Sequence, residues 1–217
     1  MPKALALLLA LTAALPVVAC RNASAGDFVE HWQHGTIDWT HRFITGRGTG
    51  SPPLDMLNTA EGMERARLEA GRSAYLNLLQ TTISLRVRGG QPLGRYLADN
   101  DRMLSQIEAL LQSARVEDTV YMSDGTVAIT RLMPLGGALS QLMLPESVVQ
   151  LEMKKMGRTF SDAAEPAFTG LVVDARGISV KPALCFQIID ESGREVYGSA
   201  YVSREFAVQQ GMCAYAT

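Results

Sequence analysis

The sequence predicts an α+β fold: two helices packed on an antiparallel or mixed sheet, followed by a small β-rich second lobe. Three patterns carry that expectation. Ala60, Met63, Ala66, Ala70, Ala74 and Leu78 recur at helical spacing within Leu57 to Gln80. Ile83, Leu85 and Val87 alternate with Ser84, Arg86 and Arg88, the period of a half-buried strand. Ser123-Asp124-Gly125 separates two further alternating runs, and both Asp and Gly tolerate the positive φ that a tight hairpin requires.

Taken in order, residues 26 to 35 read as a loose tether. Ile37 and Trp39 then flank a polar Thr40-His41-Arg42 turn with Phe43 and Ile44, a short hairpin signal. Gly46, Gly48 and Gly50 follow, succeeded by Pro52-Pro53. A dinucleotide loop must open a helix directly, whereas these prolines impose extended or turn structure. The glycines therefore read as a strand that twists and ends. In the 57–80 helix, Glu61, Glu64 and Glu69 with Arg65, Arg67 and Arg72 read as ordinary solvation of the wet faces. Its alanine stripe implies close packing against a sheet.

After Gly89-Gly90 and Pro92 comes a second helical pattern from Leu93 to Leu111, with Asn100 as cap. Val116 to Met122 and Thr126 to Met133 form the hairpin, closing an α+β domain over 26–134. Residues 135–165 read as a helical connector, opened by Gly136-Gly137 and with a helix from Pro145 to about Lys155. The β-rich lobe spans 166–217, with strands at Phe168 to Ala175 and Ala183 to Ile189. A turn at Asp190 to Gly193 leads to Glu195-Val196-Tyr197, and a helix starts near Tyr201. No finishing element follows, so the lobe is expected to be truncated.

The first twenty-five residues carry an address. Lys3 precedes an apolar run from Ala4 to Ala19 that is short for a membrane span, which needs about 20 residues, and suited to a secretory signal. Val17-Val18-Ala19-Cys20 resembles the lipobox of bacterial lipoproteins, which implies acylation of Cys20 as the mature N-terminus. Arg21 in place of Asp is similar to outer-membrane sorting signals of enterobacterial lipoproteins. Ala23-Ser24-Ala25 is the competing site, and cleavage there would release a soluble periplasmic protein. The expected location is thus the cell envelope, an outer-membrane lipoprotein facing the periplasm, held by its lipid.

Composition narrows the chemistry. A net charge of −2 offers no basic field for nucleic acid. The three histidines, His31, His34 and His41, all lie near the first strands, and no nucleophile elbow, Walker loop or zinc spacing occurs. His31 and His34 have metal-ligand spacing without a supporting Cys or carboxylate. No catalytic residue, metal or cofactor is expected. Cys185 and Cys213 form either a disulfide in an oxidising compartment or two buried thiols.

FTGLVVDARG (Phe168 to Gly177), KPAL (Lys181 to Leu184) and DESGREVYG (Asp190 to Gly198) resemble a group of bacterial envelope lipoproteins. These are similar to a small surface-lipoprotein family related to the N-terminal domain of the flagellar assembly protein T. GTIDWT (Gly35 to Thr40), the helix containing Ala66 to Leu79, and DGTVAIT (Asp124 to Thr130) fit the same pattern. The resemblance implies a periplasm-facing lipoprotein with no catalytic residues to carry over. Its members continue past Tyr201 to Gly211, and Cys185 and Cys213 lie outside its pattern.

Two functions are expected to compete. The first is a non-catalytic exported envelope lipoprotein with a structural or protein-docking role, its partner an unknown envelope protein, with a link to flagellar or surface assembly. The second is a periplasmic ligand-binding protein or enzyme using Asp174, Arg176 and Asp190, which requires those side chains to converge in a pocket lined by apolar residues.

Overall fold

Alternating residues build one sheet, and small residues let a long helix lie close upon it. The computed structural model describes residues 26–144 and 171–217. Strands β1 (Val29–Trp32), β2 (Gly35–Asp38) and β3 (Phe43–Gly50) form a meander. Strands β6 (Arg115–Tyr121) and β7 (Val127–Pro134) add a hairpin, giving the order β1-β2-β3-β7-β6 with every pairing antiparallel. At the β2–β3 turn an Asp38 carboxylate oxygen accepts the His41 N–H at 2.7 Å, and Arg42 takes φ 62°. At the β6–β7 turn Gly125 has φ 83° and Asp124 accepts the Thr126 N–H at 2.9 Å. Both expected hairpins are present. Residues 29–32, expected as tether, instead pair with β2 as an edge strand. Glu30 explains it, since its carboxylate receives Trp39 Nε1 at 2.9 Å and the Arg86 guanidinium.

Helix α1 (Ala60–Ile83) starts where the Thr59 hydroxyl accepts the Gly62 N–H at 3.0 Å. Ala66, Ala70, Ala74 and Leu78 are fully buried on its inner stripe. Opposite them stand Gly46, Gly48 and Gly50. A Cβ on Gly48 would lie 2.0 Å from the Ala74 nitrogen, and one on Gly46 2.2 Å from that of Leu78. The glycines therefore do more than twist the strand: they remove the side chains that would hold helix and sheet apart. Helix α1 lies chiefly over β3 and β7. That placement leaves β6 bare, and the candidate site is built there.

The α1 helix runs one turn further than the expected 57–80 pattern. The Thr81, Thr82 and Ser84 hydroxyls each donate to the carbonyl four residues back, which satisfies these polar groups, the Thr81 and Thr82 side chains being buried, within a helix that runs through Ile83. The strand expected at 83–87 shrinks to β4 (Arg86–Arg88), paired through Gly89-Gly90 with β5 (Gln91–Pro92) outside the main sheet. The second helical pattern becomes two pieces, α2 (Leu93–Leu97) and α3 (Asp101–Gln112). Asn100 caps the latter by accepting the Met103 N–H at 3.0 Å, as its position suggested. The connector opens with α4 (Ala138–Met143) after Gly137 at φ 66°. The helix expected at 145–155 lies outside the described residues.

The C-terminal segment holds less strand than expected. Residues 171–175 have no regular structure, and Leu171, Val172 and Val173 are 60%, 96% and 58% exposed. An unbroken apolar run has no alternation to fix a register, and the following residues close a local turn. The expected 183–189 strand yields β8 (Ile188–Ile189), paired with β9 (Glu195–Tyr197). Its beginning forms no strand and lies beside β4, where the Leu184 and Cys185 N–H groups donate to the Arg86 and Val87 carbonyls. Helix α5 (Arg204–Gln210) begins at a Ser203 cap. The tail then returns to the main sheet: Thr217 and Gly26 exchange both backbone bonds, and the Tyr215 ring meets Trp39 edge-on at 5.5 Å.

Candidate functional site

Because α1 covers β3 and β7, a groove of about 470 Å3 opens between its other flank and β6. Arg67, Leu68, Gly71, Arg72 and Tyr75 form the helical wall, all on one side of α1. Gln112, at the end of α3, closes one end, and Val116, Ile129 and Arg131 form the floor. No carboxylate lines it among the described residues. Arg67 is already satisfied by Glu64, which accepts from it at 2.6 and 2.8 Å; this pairing raises the Arg67 pKa and lowers that of Glu64. Arg72 and Arg131 have no ion pair among the described residues. The Nε of Arg131 is buried without an acceptor. A buried donor left so costs about 1–3 kcal/mol, which a ligand oxygen would recover.

The edge of the sheet adjoins the groove. Strand β6 pairs only with β7 among the described residues, and Val116, Val120, Tyr121 and Met122 are exposed beside it. A bulge between Val116 and Asp118 and the Arg115–Glu117 ion pair interrupt the first half of that edge. The stretch from Asp118 to Tyr121 keeps regular pairing geometry and is open for a further strand.

A second cavity sits where the C-terminal tail meets the sheet, lined by Trp39, Arg42, Leu135, Met143, Cys213 and Tyr215 among others. Its volume of about 20 Å3 suits a single water molecule at most. The Tyr215 hydroxyl both donates to the Ala183 carbonyl at 2.9 Å and accepts its N–H at 3.1 Å, and burial drives the phenol pKa well upward. This is a structural joint.

The residues singled out from sequence are dispersed. Cys20 lies outside the described residues. Asp174 is bound by Arg176, with side chains 58% and 90% exposed, and this pairing holds the carboxyl below its usual range. Asp190 is engaged by Ser192 and Arg194 inside its own turn, which likewise lowers its pKa. None of the three lines the groove or the inner cavity. The structure thus does not assemble them into one site, because each carboxylate is satisfied by an arginine two or four residues away. Cys185 and Cys213 are free thiols, and burial raises both, opposite to the shift that activates a nucleophilic cysteine. His31 and His34 are exposed, and no three metal-ligating side chains gather among the described residues.

The groove has little signature in the sequence. Arg72 has the pattern of a solvating charge on α1. Arg131 carried a signal: it occupies an inward position in the alternation Val127, Ile129, Arg131, Met133, where a strand over a core holds an apolar residue.

Residues 170–217 are similar to a bacterial protein domain, the second domain of Treponema pallidum Tp0624. No curated protein matches the chain. No described helix is long and apolar enough to cross a membrane.

Proposed function

We propose that this chain is a non-catalytic, exported protein of the bacterial cell envelope, anchored by lipid on Cys20, that docks another envelope protein along β6. The observation that carries the docking role is the open edge from Asp118 to Tyr121, flanked by exposed Val120, Tyr121 and Met122. Such an edge supplies a row of backbone donors and acceptors for an added strand, and the neighbouring side chains select the partner. Export rests on Lys3, the 4–19 apolar run and the lipobox-like Val17 to Cys20. The resemblance to surface lipoproteins extends the proposal to flagellar or surface assembly as the setting. The similarity of residues 170–217 to the second domain of a Treponema pallidum protein supports a bacterial setting and names no partner.

A photo-crosslinking residue placed at Val120, with a control at the exposed Leu76 of α1, tests the docking role in living cells. The proposal expects one discrete crosslinked protein from position 120 and none from position 76. Identical patterns from both positions, or none from either, refute it.

A further inference from the structure

We infer that the groove between α1 and β6–β7 receives an acidic side chain of an extended partner peptide, its carboxylate held by Arg131 and Arg72. The inference rests on the docking proposal and names the chemistry of the partner. Three observations converge on it. The groove is lined by three arginines and no acid, in a chain whose net charge is −2. Glu64 neutralises Arg67, which leaves Arg72 and Arg131 as the cations to be matched. And the Arg131 Nε is buried and lacks an acceptor.

The walls fix the rest of the ligand. Leu68, Tyr75, Val116 and Ile129 give apolar contact on both sides of the charge. A peptide strand added to β6 lies about 5 Å beyond it and about 10 Å from β7. Val116 stands directly opposite Arg131 across the β6–β7 pair. A glutamate just past the end of the strand paired along Asp118 to Tyr121, where the bulge ends the regular edge, would run its methylenes over Val116 and meet the guanidinium beyond. Gly71 leaves the way open, since a Cβ there would find only the Ile129 Cδ1, at 3.9 Å. On the opposite face, a residue three places further along such a peptide would rest against Val120, exposed and paired with Ala128. The ligand class is therefore an extended segment in which acidic and apolar residues alternate.

The probe is a fluorescent octapeptide of alternating leucine and glutamate. Its glutamates are replaced by glutamine in one control and by lysine in another, and binding to the purified full-length chain is read by anisotropy. Binding of the glutamate peptide is expected to weaken about tenfold with glutamine and to vanish with lysine. Arg131→Gln and Arg72→Gln should each weaken it about tenfold, with melting curves confirming the fold; Arg72 is exposed and its replacement leaves the core untouched. Unchanged binding in both variants overturns the inference while leaving the edge-docking proposal standing. Failure of all three peptides to bind overturns it as well, and crosslinking at Val120 then decides the docking proposal separately. Full displacement by decanoate at equal concentration also overturns it, because the carboxylate would then belong to a lipid.

Discussion

Gly48→Ala probes the close approach of β3 to α1. The new methyl would lie 2.0 Å from the Ala74 nitrogen and 2.5 Å from the Ser73 carbonyl carbon, where ordinary contact begins at 3.4 Å. Both neighbours are backbone of α1, so no side chain can swing aside. The helix must lift or the strand must bow by more than 1 Å, which loosens Ala66, Ala70 and Ala74 from Val127 and Ile129. Inserting a methyl into a packed interior typically costs about 1–3 kcal/mol, and a backbone clash belongs at the upper end, about 3 kcal/mol. Urea unfolding followed by circular dichroism measures it. The control is Gly71→Ala on the same helix, where space exists and glycine carries an entropic penalty. That variant should gain about 0.5–1 kcal/mol. A Gly48→Ala protein within about 0.5 kcal/mol of the wild type would refute the helix–sheet packing argument.

Three further outcomes follow from named contacts. Arg86→Ala should cost about 3 kcal/mol in the same assay, since it strips the partly buried Glu30 of its guanidinium and leaves the Pro182 carbonyl without its donor; a loss under about 1 kcal/mol would contradict it. Tyr215→Phe should cost about 1–2 kcal/mol by leaving both backbone groups of Ala183 without their partner, and ultraviolet titration of the wild type should show one tyrosine ionising far above pH 10. His41 titrates above the ordinary histidine value because it is hydrogen-bonded to Asp38 and lies near Asp27. Its contribution to stability is therefore complete below pH of about 6.5 and disappears as pH rises through the raised pKa. Stability measured across that window should flatten in His41→Gln.

The fold was legible where the pattern reported the contact that forms. The alanine stripe of α1 implied a near sheet, and β3 supplies the glycines that permit it. Asp124-Gly125 and Asn100 were readable because turn and cap chemistry is local. The C-terminal segment was less legible for the opposite reason. The segment from Ala183 to Cys185 has the composition of a strand, yet it forms none, and its backbone partners Arg86 and Val87 lie about a hundred residues away in sequence. Glu30 likewise converts an apparent tether into a strand through a distant arginine. The candidate site was legible at one position only. Arg131 broke the inward apolar alternation of β7, whereas Arg72 resembles any solvating charge until the bare β6 surface appears beside it.

We propose that Cys20 becomes an acylated N-terminus outside the cytoplasm, and the envelope reading of the chain depends on it. Intact-mass analysis of the protein extracted from the membrane fraction tests it directly, with the N-terminal peptide sequenced by fragmentation. The expected result is a chain beginning at Cys20 and bearing acyl groups, and a Cys20→Ala variant that lacks them. A mature protein beginning at Met1 in the cytosolic fraction would contradict it, as would an unmodified chain beginning at Gly26.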